Sequence, residues 1–90
     1  MEVEFLPDAQ DDLRFWVKTG NKPILKKIAQ LVESIKENPF EGIGKPEQLK
    51  YSLSGAWSRR ITKEHRLVYD IEDDNIIPAF VGVFHQQSDK

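Results

Sequence analysis

Trp57-Ser58-Arg59-Arg60-Ile61-Thr62, then Lys63-Glu64-His65, then Arg66-Leu67-Val68-Tyr69-Asp70-Ile71 is the stretch that decides the fold. Two segments rich in β-branched and aromatic residues flank a short polar break, the pattern of two strands joined as a hairpin. Burying Trp57 and Ile61 beside Leu67 and Tyr69 pairs odd positions with odd positions. That register requires a connection with an odd number of residues, such as Lys63-Glu64-His65, and sets Arg60, Thr62, Arg66 and Val68 on the opposite face. Downstream, Asp73-Asp74 marks a second turn into Ile76–Phe84, which is apolar on both faces and reads as a central strand. Pro78 inside it demands a bulge or an unpaired edge. A tight turn at Asp73-Asp74 pairs position 66 with 81 and brings His85 to the face of the two arginines; a bulge at Pro78 shifts this by one residue.

Upstream, Leu49, Tyr51 and Leu53 alternate as a strand and Ser54-Gly55 turns. Phe40 to Gln48 is a loop by composition, with Gly42, Gly44 and Pro46; its Gly44-Lys45 lacks the frame of a phosphate-binding loop, and no helix follows. Ile24, Leu25, Ile28, Leu31, Val32 and Ile35 form one helical stripe, ended by Asn38-Pro39. Pro7-Asp8 opens an earlier helix, with Ala9, Leu13, Trp16 and Val17 at helical spacing and Gly20 as its stop. Val3 to Leu6 suits a short strand. The order describes an α+β domain: two N-terminal helices on a mainly antiparallel sheet of about five strands, in a single domain over residues 1–90.

The 90 residues are 39% apolar and 31% charged, the composition of a soluble globular chain. There is no cysteine, which excludes disulfides, thiolate zinc sites and cysteine nucleophiles and fits a reducing cytoplasm. No apolar run reaches the roughly 18 residues of a membrane span, and the acidic N-terminus lacks the basic start of a signal peptide. The net charge of −2 conceals a segregation. Residues 44–66 hold six basic side chains (Lys45, Lys50, Arg59, Arg60, Lys63 and Arg66) against Glu47 and Glu64, or +4, which leaves −6 for the remainder. Such a segment makes a local field that attracts phosphate. The two histidines lack metal-ligand spacing, and no metal or cofactor is expected.

Pro39-Phe40-Glu41-Gly42-Ile43-Gly44-Lys45-Pro46-Glu47, Leu49-Lys50, Leu53-Ser54-Gly55-Ala56-Trp57-Ser58-Arg59-Arg60-Ile61-Thr62 and Glu64-His65-Arg66-Leu67-Val68-Tyr69 together closely resemble the YoeB/Txe branch of the RelE toxin superfamily. The resemblance implies a RelE/ParE-like fold and an endoribonuclease that cuts mRNA in the ribosomal A site. It also implies neutralisation by a cognate YefM/Axe-like antitoxin and a homodimer of the free toxin. By the same resemblance Glu47 is the general base, His85 the general acid and Arg66 the main phosphate stabiliser. Lys50, Arg59, Arg60 and Gln86 then contact the substrate. Metal-free RNA cleavage needs those parts: a base for the 2′-hydroxyl, an acid for the departing 5′-oxygen and cations for the phosphorane.

His65 suits a turn or positioning role, and Trp57, Tyr69, Phe80 and Phe84 suit packing; Tyr51 suits a strand tyrosine or a base-stacking one. Three features depart from the family: Gln86 follows His85 where a tyrosine is usual, apolar residues surround Val83 where a basic one is usual, and the isoelectric point is about 5.6. They predict activity that persists but is reduced or altered in sequence preference. The competing readings are a RelE/ParE-fold toxin that blocks a protein target such as gyrase, and a catalytically weakened member that only binds its antitoxin.

Overall fold

Pro7 supplies a fixed φ and no surplus N–H at the start of α1 (Pro7–Lys18), with Asp8 at the positive end of the helix dipole and Lys18 at the negative end. Gly20, at φ +70°, ends it. Asn21 then caps α2 (Lys22–Glu37), its side chain accepting from the Ile24 amide at 3.3 Å. Ile24, Ile28, Leu31 and Ile35 are the buried stripe of α2, at the expected three- and four-residue steps. The computed structural model describes residues 1–50 and 55–83. Tyr51, Leu53, Phe84, His85 and Gln86 lie outside those residues, and so do the strand over Leu49–Leu53 beyond Lys50 and the placement of His85.

The sheet contains β1 (Glu47–Gln48), β2 (Trp57–Arg60), β3 (His65–Glu72) and β4 (Asn75–Val83), antiparallel and in chain order. Glu47 and Gln48, assigned to a loop from composition, pair with Ser58 and Trp57. Trp57 faces Tyr69 and Arg59 faces Leu67, the odd-with-odd register expected. The turn falls one residue earlier than expected, at Thr62-Lys63-Glu64, because the Ile61 amide closes onto the His65 carbonyl at 2.9 Å.

At Asp73 and Asp74, φ is +49° and +67°, the two left-handed residues of a two-residue hairpin turn. The Pro78 irregularity is a bulge: Val68 faces Phe80 and Tyr69 faces Pro78, so Ala79 is the extra residue. Arg66 therefore faces Gly82, not Val81. The pairing of 66 with 81 that carried His85 to the arginine face does not occur.

Val3 to Leu6 is reduced from a strand to one parallel bridge, Val3 to Ile76. The Ile76 amide donates to Glu2 O (2.8 Å), Glu4 N donates to Ile76 O (2.9 Å) and Leu6 N donates to Pro78 O (2.9 Å). The missing rung is the one that a Pro78 N–H would supply. β4 is thus flanked on both sides over its first half, which accounts for its apolar character. Farther along, α1 covers the same edge: Trp16 Nε1 donates to Val81 O (2.8 Å) and the Val81 amide donates to Asp12 (2.9 Å).

Both helices cover one sheet face, where Ile24, Ile28, Leu31 and Ile35 meet Ile61, Leu67, Tyr69, Ile76 and Val81. Leu49, Ala56 and Val68, with Phe80, form a smaller cluster on the other face. Arg59 is fully buried on the helix side. Its Nε donates to Tyr69 Oη (3.1 Å), Nη1 to Ser34 Oγ (2.7 Å) and Ile43 O (3.1 Å), and Nη2 to Asn38 O (2.7 Å) and Glu41 O (2.9 Å). All five guanidinium donors are used. Tyr69 Oη in turn donates to Pro39 O at 2.6 Å. The loop after α2 is therefore held by side chains of β2 and β3.

Asp12→Ala strands the Val81 amide and is expected to cost about 1–3 kcal/mol, read as a lower urea midpoint at unchanged slope. Burial raises the Tyr69 pKa, opposed by the hydrogen bond and charge of Arg59. Between the unfolded tyrosine pKa near ~10 and the higher folded one, the unfolded chain loses a proton that the native chain keeps. The stability that Tyr69 contributes is whole below pH ~10 and falls as pH rises through the folded pKa. Melting temperatures from pH 8 to 11 should show this fall in the wild type and a flatter profile in Tyr69→Phe.

Candidate anion-binding site

Two arginines stand directly opposite each other across the β2–β3 ladder, Arg60 facing Arg66. Like charges in that position repel, so the pair is a local cost to the sheet. Among the described residues neither forms an ion pair. Arg66 Nη1 donates to Thr62 O (3.0 Å), Lys63 O (3.1 Å) and His65 O (3.1 Å), which fixes the guanidinium plane against the hairpin turn. Burial first, and then the Arg60 charge, hold the Arg66 pKa below the usual arginine value, while Glu47 acts the other way. An arginine stays protonated in a protein. Burial and a like-charged neighbour both act against that charge, which creates a need for a negative group close by.

Glu47 supplies part of that need and defines the site. Its Cα partner is Ser58, so its side chain shares the face of Ser58, Arg60 and Arg66. Lys45, Glu47, Ser58, Arg60 and Arg66 line a cleft of about 70 Å³. That volume is far below the ~300 Å³ or more of a drug-sized ligand site and suits one small oxyanion. The loop reaches the cleft through residues in left-handed geometry: Gly42, Gly44 and Lys45 have φ of +127°, +83° and +50°. A Cβ at Gly44 would stand 2.6 Å from Leu31 Cδ2, so glycine is required there. The Arg60 amide donates to Gly44 O at 2.6 Å, tying the loop to the strand that carries the cleft arginine.

The structure brings together three of the residues singled out from sequence: Glu47, Arg60 and Arg66. Lys50 is exposed two residues beyond β1 and does not line the cleft. Arg59 is corrected: it points into the core, its donors are spent, and it is closed to substrate. Lys45 and Ser58 line the cleft without having been assigned a role there; Lys45 stood in the basic segment and in the rejected phosphate-loop frame.

His65 lies on the helix side, edge-on to Trp16 at 5.0 Å. Thr62 Oγ1 accepts the Glu64 and His65 amides at 3.2 Å each, which leaves its own proton for His65 Nδ1 at 2.7 Å. His65 is thus the first residue of β3, and its imidazole braces the turn from there in a positioning role. Among the described residues, no three His, Cys, Asp or Glu side chains stand together, and no helix is long and apolar enough to cross a membrane.

Comparison with known proteins gives a consistent family. The toxin YoeB of Escherichia coli K12 is 49% identical over 79 residues, covering 88% of this chain and 93% of that one. A YoeB toxin from Mycobacterium bovis is 50% identical over 74 residues, 82% of this chain and 86% of that one. Among solved structures, a YoeB/ParE toxin from Agrobacterium tumefaciens superposes with a TM-score of 0.89 at 36% identity, over 94% of this chain and all of the other. A toxin from Staphylococcus aureus, solved as a YoeB–YefM complex, gives 0.85 at 43% identity, over 94% and 98%. YafQ from E. coli shares the fold alone, with a TM-score of 0.75 at 18% identity. The family model for the YoeB-like toxin of bacterial type II toxin–antitoxin systems matches residues 5–84, and the chain belongs to that family.

Proposed function

We propose that this chain is an endoribonuclease that cleaves mRNA in the ribosomal A site and so inhibits translation in the cytoplasm. The observation that carries the reading is the cleft itself: one carboxylate, Glu47, on the same sheet face as the directly opposed Arg60 and Arg66. Glu47 takes the proton of a 2′-hydroxyl, whose oxygen attacks the adjacent phosphorus. The P–O5′ bond breaks, and the leaving oxygen is protonated by His85 as general acid. The ends are a 2′,3′-cyclic phosphate, which opens to a 3′-phosphate, and a 5′-hydroxyl. Arg66, Arg60 and Lys45 meet the negative charge of the phosphorane, which favours the transition state over the substrate. Lys50 and Gln86 contact the flanking RNA.

The Staphylococcus aureus relative solved with YefM supports a YefM/Axe-like antitoxin as the partner of this chain, and the YoeB dimer solved from the same organism supports a homodimer of the free toxin. A disordered acidic antitoxin tail that folds onto the basic face would shield the same arginines from RNA.

Mapping both fragment ends of an mRNA held in the A site of purified ribosomes tests the assignment. Wild type is expected to give cyclic or 3′-phosphate and 5′-hydroxyl ends at the A-site codon, and Glu47→Ala to lower the single-turnover rate by about 10²–10⁴-fold. Undiminished cleavage by Glu47→Ala would remove its role as base. No cleavage by folded wild type over a broad codon set would favour the antitoxin-binding or protein-blocking reading.

The arginine pair generates a second expectation. Phosphate should raise the melting temperature of wild type more than chloride does at equal ionic strength, since a ligand bound to the native state stabilises it. Arg60→Ala should lose most of that difference, and its ligand-free form should be no less stable than wild type, because a repulsion has gone.

A further inference from the structure

The chain from the last loop carbonyl held by Arg59 to the Cα of Glu47 is short and stiff. Ile43 O accepts from Arg59 Nη1 at 3.1 Å, and three residues separate Ile43 from Glu47. Gly44 is wedged between Leu31 and Arg59, where a Cβ would come within 2.6 Å of Leu31 Cδ2 and 3.1 Å of Arg59 Cβ. Lys45 sits at φ +50°, and the ring of Pro46 fixes its own φ. Little rotational freedom separates the anchored carbonyl from the Cα of Glu47, so a displacement of Ile43 moves the point from which the Glu47 side chain springs.

The anchor is an unusual one. Arg59 is wholly buried, and among the described residues no carboxylate pairs with it. Its charge is met by the carbonyls of Asn38, Glu41 and Ile43 and the hydroxyls of Ser34 and Tyr69. Burying a cation is costly, and an apolar side chain of similar volume would pack without that cost. What the planar guanidinium supplies, and neither lysine nor an apolar residue can, is a simultaneous hold on three carbonyls in one plane. Arg59 also lies in β2 between Ser58 and Arg60, both of which line the cleft from the opposite face. One strand thus carries the anion site on one side and the loop anchor on the other.

We infer that Arg59 is the positioning residue for Glu47: from the core side of the sheet it sets where the carboxylate stands relative to Arg60 and Arg66. The effect on catalysis rests on the cleavage reading above; the effect on geometry does not. An error of about 1 Å in a reacting group can cost on the order of 100-fold in rate.

The test uses full-length wild type, Arg59→Lys, Glu47→Ala, the double variant and Tyr69→Phe, each checked for folding by near-ultraviolet circular dichroism. In single-turnover cleavage of ribosome-bound mRNA, Arg59→Lys should lose about 100-fold in rate. Its affinity for the ribosome should change little. Adding Arg59→Lys to Glu47→Ala should cost nothing further, since the positioned group is already absent. Independent losses in the two variants, or a wild-type rate in folded Arg59→Lys, would overturn the inference.

Tyr69→Phe frees one Arg59 donor and Pro39 O while keeping the ring, and should give a smaller loss of the same kind. If Arg59→Lys fails to fold, an unchanged rate in Tyr69→Phe overturns the inference. The carboxyl carbon resonance of Glu47 in the free protein separates positioning from cleavage. It should move in Arg59→Lys or Tyr69→Phe while that of Asp8, at the far end of α1, stays in place. A Glu47 resonance unmoved in the folded variants refutes the positioning even where wild type proves inactive, whereas an inactive wild type alone refutes the cleavage reading.

Discussion

A buried guanidinium with every donor occupied is the constraint on which the rest of this structure depends. The segment from Asn38 to Pro46 has no regular secondary structure, and its carbonyls would otherwise turn to water or remain unpaired beneath the sheet edge. Arg59 and Tyr69 take four of them, at positions 38, 39, 41 and 43. Removal of either side chain strands several polar groups at once, and each stranded group costs about 1–3 kcal/mol. The network also explains the glycine at position 42. A Cβ there would overlap Ser34 Oγ at 2.3 Å, and Ser34 is itself an acceptor for Arg59.

Stability and chemistry oppose each other on the two faces of β2. On the helix side, a cation has every donor paired and contributes order. On the cleft side, Arg60 and Arg66 are set against each other, with Glu47 the one carboxylate lining the cleft among the described residues, and Arg66 spends one nitrogen on turn carbonyls that hold its plane. Two opposed arginines repel each other, a cost that an anion between them would lower. That is the arrangement expected where charge develops only during reaction, because the donors are oriented beforehand.

Much of this was legible in the sequence, with failures of identifiable kinds. Hydrophobic period placed both helices and the β2–β3 register, because a one-residue slip would turn Trp57 and Tyr69 out to solvent. The same parity already set Arg59 on the face of Trp57 and Ile61. The family resemblance argued for substrate contact, and nothing in the string shows that loop carbonyls come to meet it. Glu47–Gln48 pairing escaped notice because two residues among glycines and prolines have no period to read. Lys45 was passed over when its phosphate-loop frame failed, yet its left-handed backbone turns it toward the cleft by another route.

The bulge at Ala79 shows how one residue serves both faces. Without it, Val81 would stand opposite Arg66, its side chain over the guanidinium, and the core would receive Gly82. With it, Val81 is fully buried against the helices, and its backbone is clamped by Asp12 and Trp16. Gly82 stands opposite Arg66, and among the described residues nothing comes within 4 Å of where its Cβ would be. A residue without a side chain leaves that flank of the guanidinium accessible to a phosphate. Pro78 fits the arrangement from the other edge: its missing N–H removes one rung, its carbonyl takes the last one from Leu6 just before the extra residue, and the bulge costs β4 no further hydrogen bond on that side. The proline that looked like a flaw in a central strand lies where the strand changes its register for the site.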